Sequence, residues 1–382
     1  MSFKAGFVAL IGRPNAGKST LVNALVGQKV AIVSSKPQTT RNRVLGFVNR
    51  GDLENGAQVV LVDTPGLHHG SSALSRLMMG EVKQGIDGVD ILSLIVDASV
   101  DFGVQDREAL VWVKRFSGPV FLLLNKVDRM PKENLLPLID FYHKEFAFTE
   151  IFPISALKGK QLGPLLDSWI SYLPEHEPYF PTDEFTDQPE RFMAAEFIRE
   201  KAIQRTREEI PHSIAVLIDG FEETPKLLRI SATIYIEREG QKGILIGKGG
   251  AMLKAIGTEA RQDLEKLLGM KIFLELNVKV QPNWRQKGNV VRQLDWRREV
   301  EHMEKLGEEG EMEFERRNQG ADGEDLKMKH RNDGDVQDGN LDDEQDDDDD
   351  EVEDGEGDED ESEEQEEEDK IAEGDGEDLE DL

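Results

Sequence analysis

The sequence has no cysteine among its 382 residues. This excludes disulfide bonds, thiolate zinc sites and cysteine nucleophiles, and it is typical of a reducing compartment. No stretch approaches the roughly 18 uninterrupted apolar residues of a membrane-spanning helix. The first residues, Met1–Lys4, lead directly into an apolar run, so we expect neither a signal nor a transit peptide. We therefore predict a cytosolic chain.

Basic residues are scarce in one part of the chain only. The formal net charge is −32, but 41 of the 78 acidic residues and only 7 of the 46 basic residues follow residue 300. Residues 1–300 contain 37 acidic and 39 basic residues, so this part is close to neutral. Segment 301–382 is too acidic and too poor in apolar residues to bury a core. We predict a disordered acidic tail there.

The first stretch with a recognisable chemistry is Gly12–Ser19, which fits the phosphate-loop pattern G-x-x-x-x-G-K-[ST]. An apolar run at 7–11 precedes it and a helical pattern at 20–26 follows, as the motif requires. Backbone N–H groups of such a loop and the N-terminus of the next helix bind phosphate oxygens. We expect Lys18 to reach the β- and γ-phosphates and the Ser19 hydroxyl to bind Mg²⁺.

Apolar runs alternate with amphipathic stretches as far as residue 173. The predicted strands are 44–48, 58–62, 91–96, 119–124 and 150–154, and the predicted helices are 105–116, 133–146 and 162–172. Several runs are almost continuously apolar, which is typical of strands that are buried on both faces. The pattern predicts an α/β domain with a doubly wound, mostly parallel sheet, whose ligand loops follow the strand ends.

Three further motifs follow predicted strands: Asp63–Gly66, Asn125–Asp128 and Ser155–Leu157. We expect Asp63 to lie in the Mg²⁺ shell and the N–H of Gly66 to contact a γ-phosphate. The Asp128 carboxylate can accept hydrogen bonds from the N1–H and 2-amino groups of guanine, a donor pair that adenine lacks. The alternatives are an ordinary turn at Asp63–Gly66 and a helix N-cap at Asp128.

Together these motifs make residues 1–175 resemble a translation-factor-class GTPase domain, which implies GTP, GDP and Mg²⁺ as ligands. The resemblance also identifies Pro37–Arg41 as the first switch, where Thr40, or else Thr39, would join Ser19 and Asp63 around Mg²⁺ only when the γ-phosphate is present. The residues implied to contact GTP are Gly12, Arg13, Pro14, Asn15, Ala16, Gly17, Lys18, Ser19, Thr20, Thr39, Thr40, Asp63, Thr64, Pro65, Gly66, Leu67, Asn125, Lys126, Asp128, Ser155, Ala156 and Leu157.

One departure from the family pattern concerns hydrolysis. Ras-like GTPases place a catalytic glutamine directly after the glycine of the D-x-x-G motif. Leu67 stands there in this chain and cannot orient water, so we expect slow intrinsic hydrolysis. In related GTPases an asparagine at the position of Asn15 supports a K⁺ ion, although Asn15 could also only stabilise the loop. Thr40 and Asn15 are therefore candidates for a catalytic role, and no residue is a certain one.

A second domain is predicted at 190–300, after a linker at 176–189 that is rich in proline, acid and aromatics. The predicted elements are a helix at 190–208, strands at 213–221 and 227–237, a helix at 251–268 and a strand at 271–280. The residues expected on the buried side of the first helix are Phe192, Ala195, Ile198, Ala202 and Ile203. This α-β-β-α-β order around Gly247–Gly250 resembles an α+β type II KH domain.

In KH domains the G-x-x-G loop lets a nucleic-acid backbone approach closely. The resemblance implies RNA contacts at Ile244, Ile246, Gly247, Lys248, Gly249 and Gly250. A tight turn without a ligand, or a different phosphate loop, is the alternative. Basic residues then alternate with Trp284 and Trp296, an arrangement that suits single-stranded RNA, although a solvated basic helix would look similar. These basic residues are Arg285, Lys287, Arg292, Arg297 and Arg298, of which we select Arg285 and Lys287 as RNA contacts.

A GTPase domain followed by this KH domain resembles the Era family over about residues 1–300. The resemblance implies a monomer that binds the 3′ region of 16S ribosomal RNA and assists assembly of the 30S subunit. It also implies a cytoplasmic location with peripheral association at the inner membrane. Two other functions stay open: a membrane-associated signalling or cell-cycle GTPase, and an RNA-binding module with a structural GTP site.

The acidic tail departs from the Era pattern. It could be a solubilising or halotolerant extension, or it could mimic RNA and compete for the KH groove. The RNA affinity at low salt of a chain without residues 310–382 distinguishes these interpretations, because only the second predicts a change.

Overall fold

The structure is a computed structural model that describes residues 3–67 and 70–297. The predicted tail at 301–382 and Arg298 lie outside the described residues. In the described part of the chain, no helix combines the length and the apolar character needed to cross a bilayer.

The first domain contains a six-stranded sheet in the order β2-β3-β1-β4-β5-β6. Its strands are β1 (Lys4–Ile11), β2 (Val44–Arg50), β3 (Ala57–Asp63), β4 (Ile91–Asp97), β5 (Val120–Asn125) and β6 (Glu150–Pro153). Strand β2 runs antiparallel to β3, and the other neighbouring pairs are parallel. Strands β3, β4 and β5 are buried along their whole length. The predicted fold class is therefore confirmed.

Helices cover both faces of this sheet. They are α1 (Lys18–Val26), α2 (Ala73–Ile86), α3 (Val104–Val113), α4 (Leu135–Glu145) and α5 (Leu162–Tyr172). Apolar residues of α1 and α5 pack on one face, and those of α2, α3 and α4 pack on the other. Helix α2 has no counterpart in the sequence prediction, although the spacing of Leu74, Met78 and Val82 was a signal for it.

The second domain has a three-stranded sheet in the order β7-β8-β9. Its elements are α6 (Glu190–Arg205), α7 (Ile210–Ser213), β7 (Ala215–Thr224), β8 (Leu227–Ile236), α8 (Glu239–Ile246), α9 (Ala251–Leu268), β9 (Ile272–Val280) and α10 (Gly288–Arg292). Strands β7 and β8 are antiparallel, whereas β8 and β9 are parallel.

Two details of the second domain correct the sequence prediction. Helix α8 lies between β8 and the glycine loop, so the order is not the predicted α-β-β-α-β. The buried face of α6 includes Ala194 and Phe197, while Phe192 and Ala195 are only half-buried. The reason is that α6 is buried by its own domain and by the first domain, so polar residues of the helix are buried as well. The spacing of its apolar residues alone therefore does not define the buried face.

The linker covers the edge strand β2. Phe47 N–H donates to Phe185 O (3.0 Å), Thr186 Oγ1 donates to Leu45 O (2.7 Å), and the rings of Phe47 and Phe180 stack with centroids 4.1 Å apart. These contacts satisfy backbone groups that an open sheet edge would leave exposed. The linker thereby fixes the point at which α6 begins.

The segment before the first switch and helix α2, which lie on either side of the predicted nucleotide site, both contact the second domain. Ile32, which precedes the first switch, is 4% exposed and belongs to the apolar core of the second domain. On the other side, Leu74 and Met78 of α2 form a buried cluster with Trp284 and Val291. The two domains therefore share apolar surface on either side of the site.

Candidate nucleotide site and nucleic-acid interface

The phosphate loop connects β1 to α1 in the way that the motif requires. Lys18, the first residue of α1, is 5% exposed, and its Nζ donates to Gly12 O (3.0 Å) and Arg13 O (3.2 Å). Burial lowers the pKa of Lys18 to about 8, and the nearby Asp63 partly opposes this. The ammonium group of Lys18 therefore donates to carbonyl oxygens of the loop. Phosphate oxygens of a bound nucleotide could take the place of these carbonyl oxygens as acceptors.

A cluster of side-chain oxygens lies beside this lysine. Ser19 Oγ is 2.9 Å from Thr40 Oγ1 and donates to Asp63 Oδ2 (2.6 Å). Asp63 is fully buried, and no group of the described residues donates to its Oδ1. Magnesium prefers such hard oxygen ligands, so these residues fit Mg²⁺. The Thr39 hydroxyl instead donates to Lys36 O (2.7 Å), which favours Thr40 over Thr39.

We expect the substitution Asp63→Asn to stabilise the ligand-free protein while abolishing Mg²⁺-dependent nucleotide binding. Burial raises the pKa of Asp63 from 3.8 to about 6, against the opposing effects of Lys18 and Ser19. The stability linked to this group is therefore present at low pH and is lost as the pH rises through about 6. The buried carboxylate then costs about 1–3 kcal/mol at neutral pH, which asparagine avoids.

Urea unfolding of both proteins in a metal chelator measures this effect. The variant should have the higher free energy of unfolding at about pH 7.5, and the difference should shrink at about pH 4.5. A variant that is less stable than the parent at neutral pH would contradict the prediction.

The motifs Asn125–Asp128 and Ser155–Leu157 meet at the ends of β5 and β6. Asn125 Nδ2 donates to Ala16 O (2.8 Å), and Asn125 Oδ1 accepts from Ala156 N–H (3.0 Å). Asn125 thus ties the phosphate loop to the loop at 155–157. Ser155 Oγ donates to Asp128 Oδ1 (2.5 Å), and this hydrogen bond lowers the pKa of Asp128. The exposed carboxylate is therefore an ionised acceptor.

The alternative role of Asp128 as a helix N-cap does not hold. A short 3₁₀ turn covers Val127–Arg129, with Lys126 before it, and α4 begins only at Leu135, after Asn134. The side chain of Asp128 is oriented by Ser155 instead.

Sequence reasoning missed Asp97, which lies at the end of β4. Lys126 Nζ donates to Asp97 Oδ2 (2.6 Å) and to Asn15 O (2.7 Å), so Asp97 fixes the lysine of the N-K-x-D motif. Burial raises the pKa of Asp97, but hydrogen bonds from Lys126 and Ser99 outweigh it and leave the pKa lowered. The available signal was a carboxylate at the carboxyl end of a buried strand.

These motifs surround one cavity of about 550 Å³. The predicted contact residues in its wall are Pro14, Asn15, Gly17, Lys18, Ser19, Thr20, Thr39, Thr40, Gly66, Asn125, Lys126, Asp128, Ser155 and Leu157. The wall also contains residues 32–35 and Gln204 of α6, which the sequence did not indicate. The second domain therefore reaches the nucleotide cavity.

Some predicted contact residues have other surroundings. Leu67 is 1% exposed in the apolar core, and its N–H donates to Gly12 O (3.3 Å). Thr64 is buried, with its hydroxyl donating to Leu10 O (2.7 Å). Asn15 adopts a left-handed φ of 63°, and its Nδ2 donates to Ser35 O (2.8 Å). Asn15 therefore shapes the loop and contacts the segment before the first switch.

The glycine loop of the second domain lies between α8 and α9. Ile244 is 54% exposed, Lys248 is exposed, and Ile246 is half-buried. A neighbouring groove of about 360 Å³ is lined by both apolar and basic residues, namely Gly250, Leu253, Lys254, Gly257, Thr258, Arg261, Leu274 and Leu276. An extended chain with flat apolar bases and a charged backbone suits this surface.

The predicted alternation of basic residues and tryptophans does not form a stacking surface. Trp284 is fully buried and its Nε1 donates to Ser213 O (2.8 Å), while Trp296 is 9% exposed and lies beside Phe192. Arg297 Nη2 donates to Arg43 O (3.1 Å) at the domain interface. The tryptophans are buried because they fill the space between the domains.

The other basic residues after β9 differ in their exposure and in their hydrogen bonds. Arg285 donates to both carboxylate oxygens of Glu237 (3.1 and 2.5 Å) and is half-buried. Lys287 and Arg292 are exposed. These three positions stay candidates for RNA contact.

The fold and the site define a phosphate-loop GTPase domain joined to a type II KH domain. The family model described as "50S ribosome-binding GTPase" matches residues 7–126, and the KH-domain model matches residues 209–285. GTPase Era of Syntrophus aciditrophicus (strain SB) is 48% identical over 296 residues, which are 77% of this chain and 95% of that protein. GTPase Era of Staphylococcus haemolyticus (strain JCSC1435) is 46% identical over 294 residues, which are 77% of this chain and 97% of that protein.

A solved structure agrees with these relatives. The crystal structure of Era in complex with MgGDPNP and nucleotides 1506–1542 of 16S ribosomal RNA is 45% identical, with a TM-score of 0.73. The match covers 76% of this chain and 98% of that one. The chain belongs to the Era family of GTPases.

Proposed function

We propose that the protein is a GTP-hydrolysing switch that binds the 3′ region of 16S ribosomal RNA through its KH domain and assists assembly of the 30S subunit. The observation that carries this proposal is the Era complex with MgGDPNP and nucleotides 1506–1542 of 16S ribosomal RNA, which matches both domains at 45% identity. Crosslinking followed by sequencing of bound RNA, in the GTP and GDP states, tests it. Enrichment of the 16S 3′ end supports it, whereas its absence favours a signalling GTPase.

In this proposal the nucleotide occupies the 550 Å³ cavity. Lys18 binds the β- and γ-phosphates, Asp128 binds the guanine base, and Ser155–Leu157 offer backbone N–H groups to its carbonyl. Ser19, Thr40 and Asp63 hold Mg²⁺; in support, Ser19 Oγ lies 2.9 Å from Thr40 Oγ1 and 2.6 Å from Asp63 Oδ2. The bound ion neutralises phosphate charge.

We further propose that intrinsic hydrolysis is slow, since the buried Leu67 offers no group to orient water, and that Asn15 supports K⁺. Single-turnover hydrolysis should be several-fold faster in K⁺ than in Na⁺. The substitution Asn15→Gly should remove this difference, because glycine keeps the left-handed backbone of Asn15 (φ 63°) but lacks the amide. Equal rates in the two salts would contradict the K⁺ proposal. If hydrolysis is not measurable in either salt, this result would instead favour a structural GTP site.

RNA binding is assigned to Ile244, Ile246, Gly247, Lys248, Gly249, Gly250, Arg285 and Lys287. We expect Gly249→Asp to lower RNA affinity by about tenfold or more, because it adds a negative charge where the RNA backbone approaches. Gly249 has a left-handed φ of 59°, and no described atom lies within 4 Å of an added Cβ, so a side chain has room.

Gly249→Asn is the matched control for this prediction. Asparagine tolerates the left-handed region and has almost the same size as aspartate, but it is neutral. Fluorescence anisotropy with a 16S 3′-end oligonucleotide, at low and high salt, measures both variants. Equal losses for the two variants would show that charge at this loop does not matter.

We also propose that the protein is a cytoplasmic monomer that associates peripherally with the inner membrane, as the family resemblance implies. Analytical ultracentrifugation and co-sedimentation with vesicles of anionic lipid test these two points. A stable dimer, or no vesicle binding in either nucleotide state, would contradict them.

A further inference from the structure

A residue of the KH domain contacts the first switch next to its candidate metal ligand. Arg199 lies on α6 and is 2% exposed, and its Nη2 donates to Thr39 O (2.5 Å). The guanidinium is oriented by Glu196, whose carboxylate accepts from Arg199 Nε (2.6 Å) and Nη2 (2.5 Å). A charged, buried and oriented donor therefore holds one carbonyl group of the switch.

This carbonyl group determines where Thr40 lies. The oxygen of Thr39 belongs to the same planar peptide unit as the nitrogen and Cα of Thr40. Fixing that oxygen restrains the plane and therefore the start of the Thr40 side chain. In the structure this places Thr40 Oγ1 2.9 Å from Ser19 Oγ, at the edge of the oxygen cluster.

The same helix also holds the segment just before the first switch. Glu200 Oε1 accepts from Val33 N–H (2.8 Å), and Gln204 Nε2 donates to Val33 O (3.1 Å). In return, Arg41 Nη1 donates to Ile214 O of the KH domain (2.7 Å). The stretch from Val33 through the first switch to Arg41 is thus attached to the KH domain at both ends, and the Arg199 contact lies between these ends.

The contact between α6 and the first switch is polar. Arg199, Arg41 and Asn42 line a cavity of about 50 Å³ between the domains. Polar groups at such an interface can exchange their protein partners for water, which buried apolar groups cannot do.

We propose that Arg199 is a positioning residue for the GTPase site, through which docking of the KH helix α6 favours the switch conformation that binds GTP. The proposal rests on the proposed role of Thr40 as a ligand needed only with the γ-phosphate. Coupling of this kind is reciprocal, so GTP binding also favours docking of α6.

The test compares Arg199→Ala with Arg205→Ala, a control on the same helix that pairs with Glu259 of α9 instead. Affinities for GDP and for a non-hydrolysable GTP analogue are measured, together with kcat, KM and the thermal midpoint. Arg199→Ala should lower the affinity for the GTP analogue about tenfold, as expected for the loss of one charged hydrogen bond. The affinity for GDP should change by less than about twofold. Arg199→Lys should restore part of the loss, and Arg205→Ala should leave both affinities unchanged.

The proposal is overturned if Arg199→Ala leaves the ratio of GTP-analogue to GDP affinity unchanged. Glu196→Ala, which keeps the arginine but removes its orienting carboxylate, should give a smaller loss and serves if Arg199→Ala does not fold. Thr40→Ala separates the two levels of inference. If it reduces the GTP preference while Arg199→Ala does not, only the positioning role fails; if neither does, the role of Thr40 fails as well.

Discussion

The substitution Asp128→Asn is expected to lower the affinity for GTP by about 10²–10³-fold and to allow binding of xanthosine triphosphate. The carboxylate of Asp128 is exposed to the cavity and held by Ser155 Oγ at 2.5 Å. Asparagine replaces one acceptor oxygen by a donor, which leaves the 2-amino group of guanine without a partner. An unpaired donor and a lost charged hydrogen bond together cost roughly 3–4 kcal/mol.

Xanthine has a carbonyl oxygen where guanine has the 2-amino group, so the asparagine amide can donate to it. Titrations with fluorescent derivatives of both nucleotides measure the exchange of specificity. Asp140→Asn makes the same chemical change on the exposed surface of α4 and should leave both affinities unchanged. A GTP affinity within twofold of the parent in Asp128→Asn would show that another group recognises the base.

The second large effect is expected for Gly17→Ala, which should reduce nucleotide affinity by about 30- to 1,000-fold. Gly17 has a left-handed φ of 107°, and an added Cβ would lie 2.2 Å from Asn125 Nδ2. Asn125 would have to move away from Ala16 O and Ala156 N–H. Loss of these two buried hydrogen bonds separates the phosphate loop from the base-binding loops and costs about 2–4 kcal/mol.

Gly27→Ala is the matched control for this prediction. Gly27 ends α1 with a left-handed φ of 79°, and no described atom lies within 4 Å of an added Cβ. Both substitutions strain the backbone, but only Gly17→Ala displaces a neighbour. Isothermal titration with GDP and urea unfolding should show a small stability loss for Gly27→Ala with normal binding. Equal binding losses in both variants would contradict the role of Asn125.

The comparison of Trp284 with Lys18 shows how far sequence reasoning reaches. The surroundings of Lys18 follow from eight consecutive residues, because a glycine loop between a strand and a helix has few backbone conformations. Trp284 looked like a stacking residue because basic residues surround it in the sequence. It is fully buried because Leu74 and Met78 of α2, a helix without a predicted counterpart, pack against it.

The burial of charged residues on helix α6 could not be predicted from the sequence either. Arg199 and Glu200 are 2% exposed, although charged residues of a helix ordinarily face water. Their partners include the backbone groups of Thr39 and Val33, which lie 160 and 167 positions away in the chain. A local pattern cannot indicate such partners. The prediction for Ile198, Ala202 and Ile203 is confirmed, while the burial of Arg199 and Glu200 was therefore missed.

The sequence by itself determined the fold class, the order of the two domains and the set of phosphate and guanine motifs. These are properties of short segments, in which the local backbone and the residue types already specify the chemistry. Only the tertiary structure decided that Thr40 rather than Thr39 faces Ser19, that Asp97 fixes Lys126, and that α6 holds the first switch. Each of these depends on side chains from distant segments meeting in a shared buried space, where burial makes an unpaired charge too costly to leave without its partner.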